Sequence, residues 1–133
     1  MVHVPYICLL YAFVLIYVPR LGPVSAAMAK LPGGYDNSDP RTQAQLLEGR
    51  GRRAYNAHMN GFEAFAPFAI ALLVAAGASS HFDLVCYIAI AFCVFRSIYI
   101  YAYLADNASL RSGMWTMGTV MVGALFVLAI IGR

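Results

Sequence analysis

The sequence predicts an all-α fold: a four-helix bundle integral to a membrane. Two observations carry that expectation. The first is composition. The chain has 133 residues, of which 62% are hydrophobic and 11% charged, and its mean hydropathy is +0.70. Soluble domains run about 45–50% apolar and about 25% charged. A chain this short has too much surface for its volume to hide such a quantity of apolar side chain from water. A soluble globule, a disordered chain, a nucleic-acid-binding module and a disulfide scaffold are all excluded. The second observation is that four segments are long enough and apolar enough to cross a hydrocarbon layer about 30 Å thick, which takes about 20 residues of helix. One domain, residues 1–133, is expected.

The first span runs from Val2 to Ala29, with Pro19, Arg20 and Pro23 forcing a kink near its end. Ala27-Met28-Ala29 has the small residues of a signal-cleavage site. However, the first ten residues hold no Lys or Arg, and Pro19-Arg20 interrupts the apolar run, so the segment reads as a retained span. Lys30 to Pro40 is rich in Pro, Gly, Asp and Asn and reads as a loop. The second span runs from Thr42 to Ala78, polar in its first half and uncharged from Ala64 onward. Gly77 to His81 is a tight turn. The third span runs from Asp83 to Leu104 and contains Arg96. Ala105 to Ala108 is a turn in which Asp106 and Asn107 are available as caps. The fourth runs from Ser109 to Gly132, uncharged from Ser112.

The formal charge of +3 comes from nine Lys and Arg against six Asp and Glu, and placement matters more than the sum. Lys30, Arg41, Arg50, Arg52, Arg53 and Arg111 fall at one side of the four spans, and only Arg133 at the other. The positive-inside rule makes loop 30–41 and turn 105–108 cytoplasmic and puts both termini on the opposite side. Cys8, Cys86 and Cys93 lie in apolar stretches with no C-x-x-C pair. They read as small apolar fillers, with no metal or disulfide assigned.

Ionisable and polar side chains inside a membrane are costly, so each needs a reason. Arg53, Asn56, Asn60 and Glu63 fall within an arc of about 80° on the second helix. Arg96, Tyr99, Tyr103 and Asp106 repeat the same spacing on the third, and Arg111 with Trp115 one turn later opens the fourth. Three helices thus bring these groups to similar depth. Such a cluster suits a small anionic ligand, because arginines clamp carboxylates bidentately while Asn and Glu hold amide and ammonium groups. A structural role is the other reading: Glu63 pairs with Arg53 or Arg96 to neutralise buried charge, and the tyrosines anchor at the membrane surface. His58 lies about 200° from Asn60 and reads as packing or a hydrogen-bond partner; no second ligand is spaced for a metal. Ala57-x-x-x-Gly61 and Ala71-x-x-x-Ala75 offer close helix approach.

Three stretches carry a resemblance to a known family. Arg53-Ala-Tyr-Asn-Ala-His-Met-Asn60-Gly-Phe-Glu63, followed by Pro67, is similar to R-x-x-R-A-x-x-N-x-x-E-x-x-x-P. Arg96-Ser-Ile-Tyr99-Ile-Tyr-Ala-Tyr103 is similar to R-x-x-[HY]-x-x-x-Y. Leu110-Arg111-Ser112-Gly-Met-Trp115 is similar to a short motif opening the fourth span. In this order they resemble the MAPEG family, membrane-associated proteins in eicosanoid and glutathione metabolism, and most of all its bacterial branch. The resemblance implies a homotrimer of four-helix bundles with glutathione as co-substrate between neighbouring subunits near the cytoplasmic side. It implies Arg111 as the catalytic residue that stabilises the glutathione thiolate. The glutathione-binding set is Arg53, Asn56, Asn60, Glu63, Arg96, Tyr99 and Tyr103, and Arg20 loosely matches a second functional arginine. The sequence departs from the pattern where the second Arg of R-x-x-R is Asn56, in the length from Tyr103 to Arg111, and at Trp115, where some relatives carry tyrosine.

The expected function is a glutathione-dependent transferase or peroxidase acting on lipophilic electrophiles or lipid hydroperoxides. The alternatives are a non-catalytic lipid- or glutathione-binding protein of the same fold and a small subunit of a larger membrane complex. The expected partners are membrane lipid, a small lipophilic substrate and two further copies of the chain, with no nucleic acid.

Overall fold

The computed structural model describes residues 1–132; Arg133, counted in the charge balance above, lies outside them. All elements among the described residues are helical. Helix α1 (Val4–Pro19) passes into a π-helical turn (Arg20–Val24) and then α2 (Ser25–Met28), which together form one 25-residue span. The kink expected near Pro19 and Pro23 is therefore a widened turn. Pro23 has no N–H to give the preceding turn. The Ser25 N–H reaches back five residues to the Arg20 carbonyl, which the Ser25 hydroxyl also meets at 2.8 Å.

The second span begins later than its sequence predicts. Thr42 belongs to a separate short helix, α3 (Pro40–Gln45), and the spanning helix α4 runs from Gly49 to Ala78. Asp39 caps α3 by accepting from the Thr42 N–H at 3.1 Å, and those hydrogen bonds hold its carboxyl below the usual range. Gly49 has a φ of +52°, which no continuous right-handed helix can pass through. Leu47, two residues earlier, is buried with Val24, Met28, Ala44 and Ala54. The apolar anchor and the glycine together break the run.

Helix α4 continues through Gly77, so the turn is confined to Ser79–His81, where Ser79 Oγ accepts from the His81 N–H at 3.0 Å. Helices α5 (Phe82–Leu104) and α6 (Ala108–Ile131) complete the bundle. Asn107 caps α6, accepting from the Leu110 N–H at 3.0 Å, while Asp106 takes a left-handed φ of 61°.

The two ends of the bundle are distinct. At one, the Ser80 N–H donates to the Gly132 carbonyl at 2.6 Å and the Cys86 thiol meets the Met1 carbonyl. At the other lie the turn 105–108, α3 and the Leu47 cluster. Small residues set the crossings. A Cβ on Gly61 would sit 3.2 Å from the Ile16 backbone, so α1 and α4 meet there at close range. His58 lies beside this crossing and donates from Nδ1 to the Ile16 carbonyl at 2.7 Å. Phe68 of α4 stacks on Phe92 of α5, with centroids 3.8 Å apart, at the centre of the main core. The three cysteines are buried and free. The outer faces are apolar, as lipid requires of helices whose backbone groups are satisfied internally.

Candidate functional site

The polar stripes of α4 and α5 meet at Asn60. Arg96 of α5 is only 5% exposed, and its Nη1 donates to Asn60 Oδ1 at 3.0 Å. The Asn60 amide is thereby oriented, and its Nδ2 donates to Glu63 Oε2 at 2.8 Å. The buried guanidinium also lies 4.2 Å from the ring centroid of Tyr99, a cation–π contact with a residue that is 4% exposed. Tyr99 meets Tyr103 edge-on at 5.5 Å, and Arg111 of α6 sits 4.8 Å from the Tyr103 ring. A continuous chain of contacts thus runs Glu63, Asn60, Arg96, Tyr99, Tyr103, Arg111 across three helices.

Two cavities flank this chain. One, of about 470 Å³, is lined by Asn60, Tyr99, Tyr103, Arg111, Ser112, Trp115 and Thr116. The other, of about 250 Å³, runs between α4, α5 and α6 past Glu63 and Arg96 to Pro67, Phe92, Thr119 and Val122. Asn60 and Trp115 line both.

Six of the eight residues singled out by sequence therefore come together. Arg53 and Asn56 line neither cavity. Arg53 pairs with Asp106 at 3.3 Å across the turn, and its Nε has no partner. Asn56 is exposed on the outer surface of α4. Of the two ion-pair readings for Glu63, neither is direct: Glu63 binds Asn60, and Asn60 binds Arg96. Arg20 lies on the far side of α4, with Arg41, Tyr55 and His58 around a separate cavity of about 600 Å³. The apolar half of the site, Phe92 and Val122, was not singled out. A signal existed on α6: Arg111, Trp115, Thr119 and Val122 follow helical spacing and share one face.

Chemically, the first cavity offers a guanidinium, two phenols and an amide, which suits an anion whose polar groups need fixed donors. No cluster of three or more His, Cys, Asp or Glu capable of holding a metal exists among the described residues.

A four-span helical membrane protein with a polar cavity roofed by arginine and tyrosine is the class these observations define. The MAPEG family model matches residues 4–131. The chain belongs to the MAPEG family and so to the membrane proteins of eicosanoid and glutathione metabolism. No curated protein matches it.

Proposed function

We propose that the protein is a glutathione-dependent transferase or peroxidase that acts on lipophilic electrophiles or hydroperoxides arriving from the bilayer. The observation that carries this reading is the placement of Arg111 over Tyr103 in the lining of a polar cavity that shares Asn60 and Trp115 with a more apolar one.

A free thiol has a pKa near about 8.5, so only a few per cent is thiolate at neutral pH. A guanidinium beside the sulfur favours the anion. Arg111 supplies that charge, and Tyr99, Tyr103 and Asn60 hold the peptide so that the sulfur faces the acceptor. In transfer, the sulfur electron pair forms the C–S bond and the leaving group departs as an anion. With a hydroperoxide, the thiolate takes the terminal oxygen and the alkoxide is protonated to the alcohol; a second glutathione then displaces water from the resulting sulfenic acid and forms the disulfide. No metal and no covalent bond to the protein is needed.

The working assembly in this reading is a homotrimer with glutathione lying between subunits. That arrangement would occupy the exposed polar side chains of α4, Asn56 among them. Loop 30–41 and turn 105–108 face the cytoplasm, because six basic residues lie at that end.

Titration of the detergent-solubilised protein with glutathione, followed by the ultraviolet absorbance of bound thiolate, tests the proposal. A saturating signal in the wild type that disappears in Arg111→Ala is expected. Binding without thiolate would favour the second reading, a glutathione- or lipid-binding protein without chemistry, to which the neutral Asn56 in place of the family's arginine also points. Absence of binding, together with copurification of a stable heteromeric partner, would favour a complex subunit.

A further inference from the structure

Trp115 is the single tryptophan of the chain and stands at the boundary of the two cavities. It is one turn from Arg111, a helical side chain covers the turn before its own Cα, and both residues line the larger cavity. On its other side the smaller cavity is apolar. The Thr119 hydroxyl donates to the Trp115 carbonyl at 3.0 Å and so presents no free proton to the space. Pro67, Phe92 and Val122 contribute apolar walls, and Asn60, Glu63 and Arg96 are its charged and amide side chains. At about 250 Å³ it is smaller than the roughly 300–1,000 Å³ that enclose a drug-sized ligand.

We infer that this intra-subunit cavity seats the apolar part of the second substrate, that Trp115 sets its size, and that the preferred acceptor carries a single ring or a short acyl segment rather than a long chain. The inference rests on the glutathione reading above and adds the class of acceptor. An electrophilic carbon or peroxide oxygen held at the Trp115 edge would lie beside the thiolate in the larger cavity, with its apolar body against Phe92 and Val122. In a transfer reaction, the C–S bond forms at that edge and the leaving anion departs through the polar cavity. A long acyl chain cannot be enclosed there and would lie along the lipid-facing surface instead.

Trp115 is also the reporter. Quenching of its fluorescence measures binding of S-methyl-, S-butyl-, S-hexyl- and S-decylglutathione to the full-length protein in detergent. Affinity is expected to climb by roughly fourfold per methylene while the cavity fills, then to level off before the decyl compound. In Val122→Phe it should level off at a shorter chain, with the methyl conjugate as the folding control. Where phenylalanine is not tolerated, Val122→Leu gives the same shift in smaller measure. Turnover by Trp115→Ala gives an independent reading: kcat/KM for a two-ring electrophile relative to 1-chloro-2,4-dinitrobenzene rises by roughly tenfold or more. An unbroken gain through the decyl chain, or no dependence on chain length, with Val122→Phe indistinguishable from wild type, overturns the inference while leaving the glutathione reading intact. Failure of every conjugate to bind, the methyl compound included, overturns both.

Discussion

Arg96 donates to Asn60 Oδ1 at 3.0 Å, and that bond fixes which way the Asn60 amide points. With the carbonyl turned to α5, the amide nitrogen is left for Glu63, so one neutral side chain joins a buried cation to a carboxylate two contacts away. The arrangement keeps Arg96 and Glu63 electrostatically matched without a direct pair. It leaves the Glu63 carboxylate with acceptor capacity for a ligand.

Removing Asn60 strands a charge in an apolar bundle. Asn60→Leu is expected to destabilise the detergent-solubilised protein by about 1.5–3 kcal/mol, the cost of losing a hydrogen bond to a charged group. Arg96→Leu removes the buried charge itself, and because Glu63 is exposed it leaves no unpaired charge inside the bundle, the condition under which losing one partner is costly. The double variant should therefore be more stable than Asn60→Leu alone. Thermal unfolding of the four proteins gives the coupling directly, and strict additivity would show that the bond does not matter.

The Arg53–Asp106 pair should behave differently, because Asp106 is 72% exposed at the bundle end. Exposed pairs contribute about 0–1 kcal/mol, so Asp106→Asn, which tolerates the same backbone, is expected to change stability by no more than that. The backbone at φ 61° is the stricter constraint. Asp106→Val puts a β-branched residue in the left-handed region and should cost about 1–3 kcal/mol. Equal melting temperatures for the two variants would show that charge, not conformation, governs this turn.

Gly61 tests the crossing of α1 and α4. A Cβ there would lie 3.2 Å from Ile16 Cα and 3.4 Å from both its γ carbons. Backbone cannot retreat as a flexible side chain can, so Gly61→Val is expected to destabilise by about 1–3 kcal/mol through overpacking. The same displacement should weaken the His58–Ile16 bond beside it. Gly77→Ala, where nothing lies within 4 Å of the added carbon, is the control expected to leave stability within about 0.5 kcal/mol.

The spans were legible because hydropathy and bilayer thickness together fix both the type and the length of an element. The break at Leu46–Glu48 was not. The stretch from Thr42 to Arg53 is full of helix formers, and of its two glycines, Gly49 and Gly51, nothing in the sequence says which one breaks the helix. The meeting of Asn60, Arg96, Tyr99 and Arg111 was readable from polar residues in apolar helices, where contrast is high. Helical spacing gives face but not depth, and Arg53 shows the difference. It shares the face of Glu63 but stands ten residues away, about 15 Å along the axis, and finds Asp106 instead. The apolar walls, Phe92 and Val122, could not stand out among apolar neighbours.

Under the proposed glutathione chemistry, variants of Arg111 separate a charge requirement from a shape requirement. A cation beside the sulfur stabilises the anion, so the bound thiol should titrate below the free thiol at about 8.5. Its thiolate signal is then present at neutral pH and lost as pH falls through the lowered midpoint. In Arg111→Ala the midpoint should return to about 8.5 or above. Once the midpoint lies above neutrality, the absorbance at neutral pH falls by roughly tenfold for every further pH unit that it climbs. Arg111→Lys keeps the charge but loses the planar guanidinium that lies 4.8 Å from the Tyr103 ring. It is expected to hold the midpoint low while binding glutathione more weakly. Tyr103→Phe keeps the ring and removes the hydroxyl, so it should leave the midpoint nearly where it is and weaken binding by the worth of one hydrogen bond, about 0.5–1.5 kcal/mol. If Arg111→Lys instead titrates like Arg111→Ala, the guanidinium acts by holding geometry through Tyr103, and its charge is not what activates the thiol.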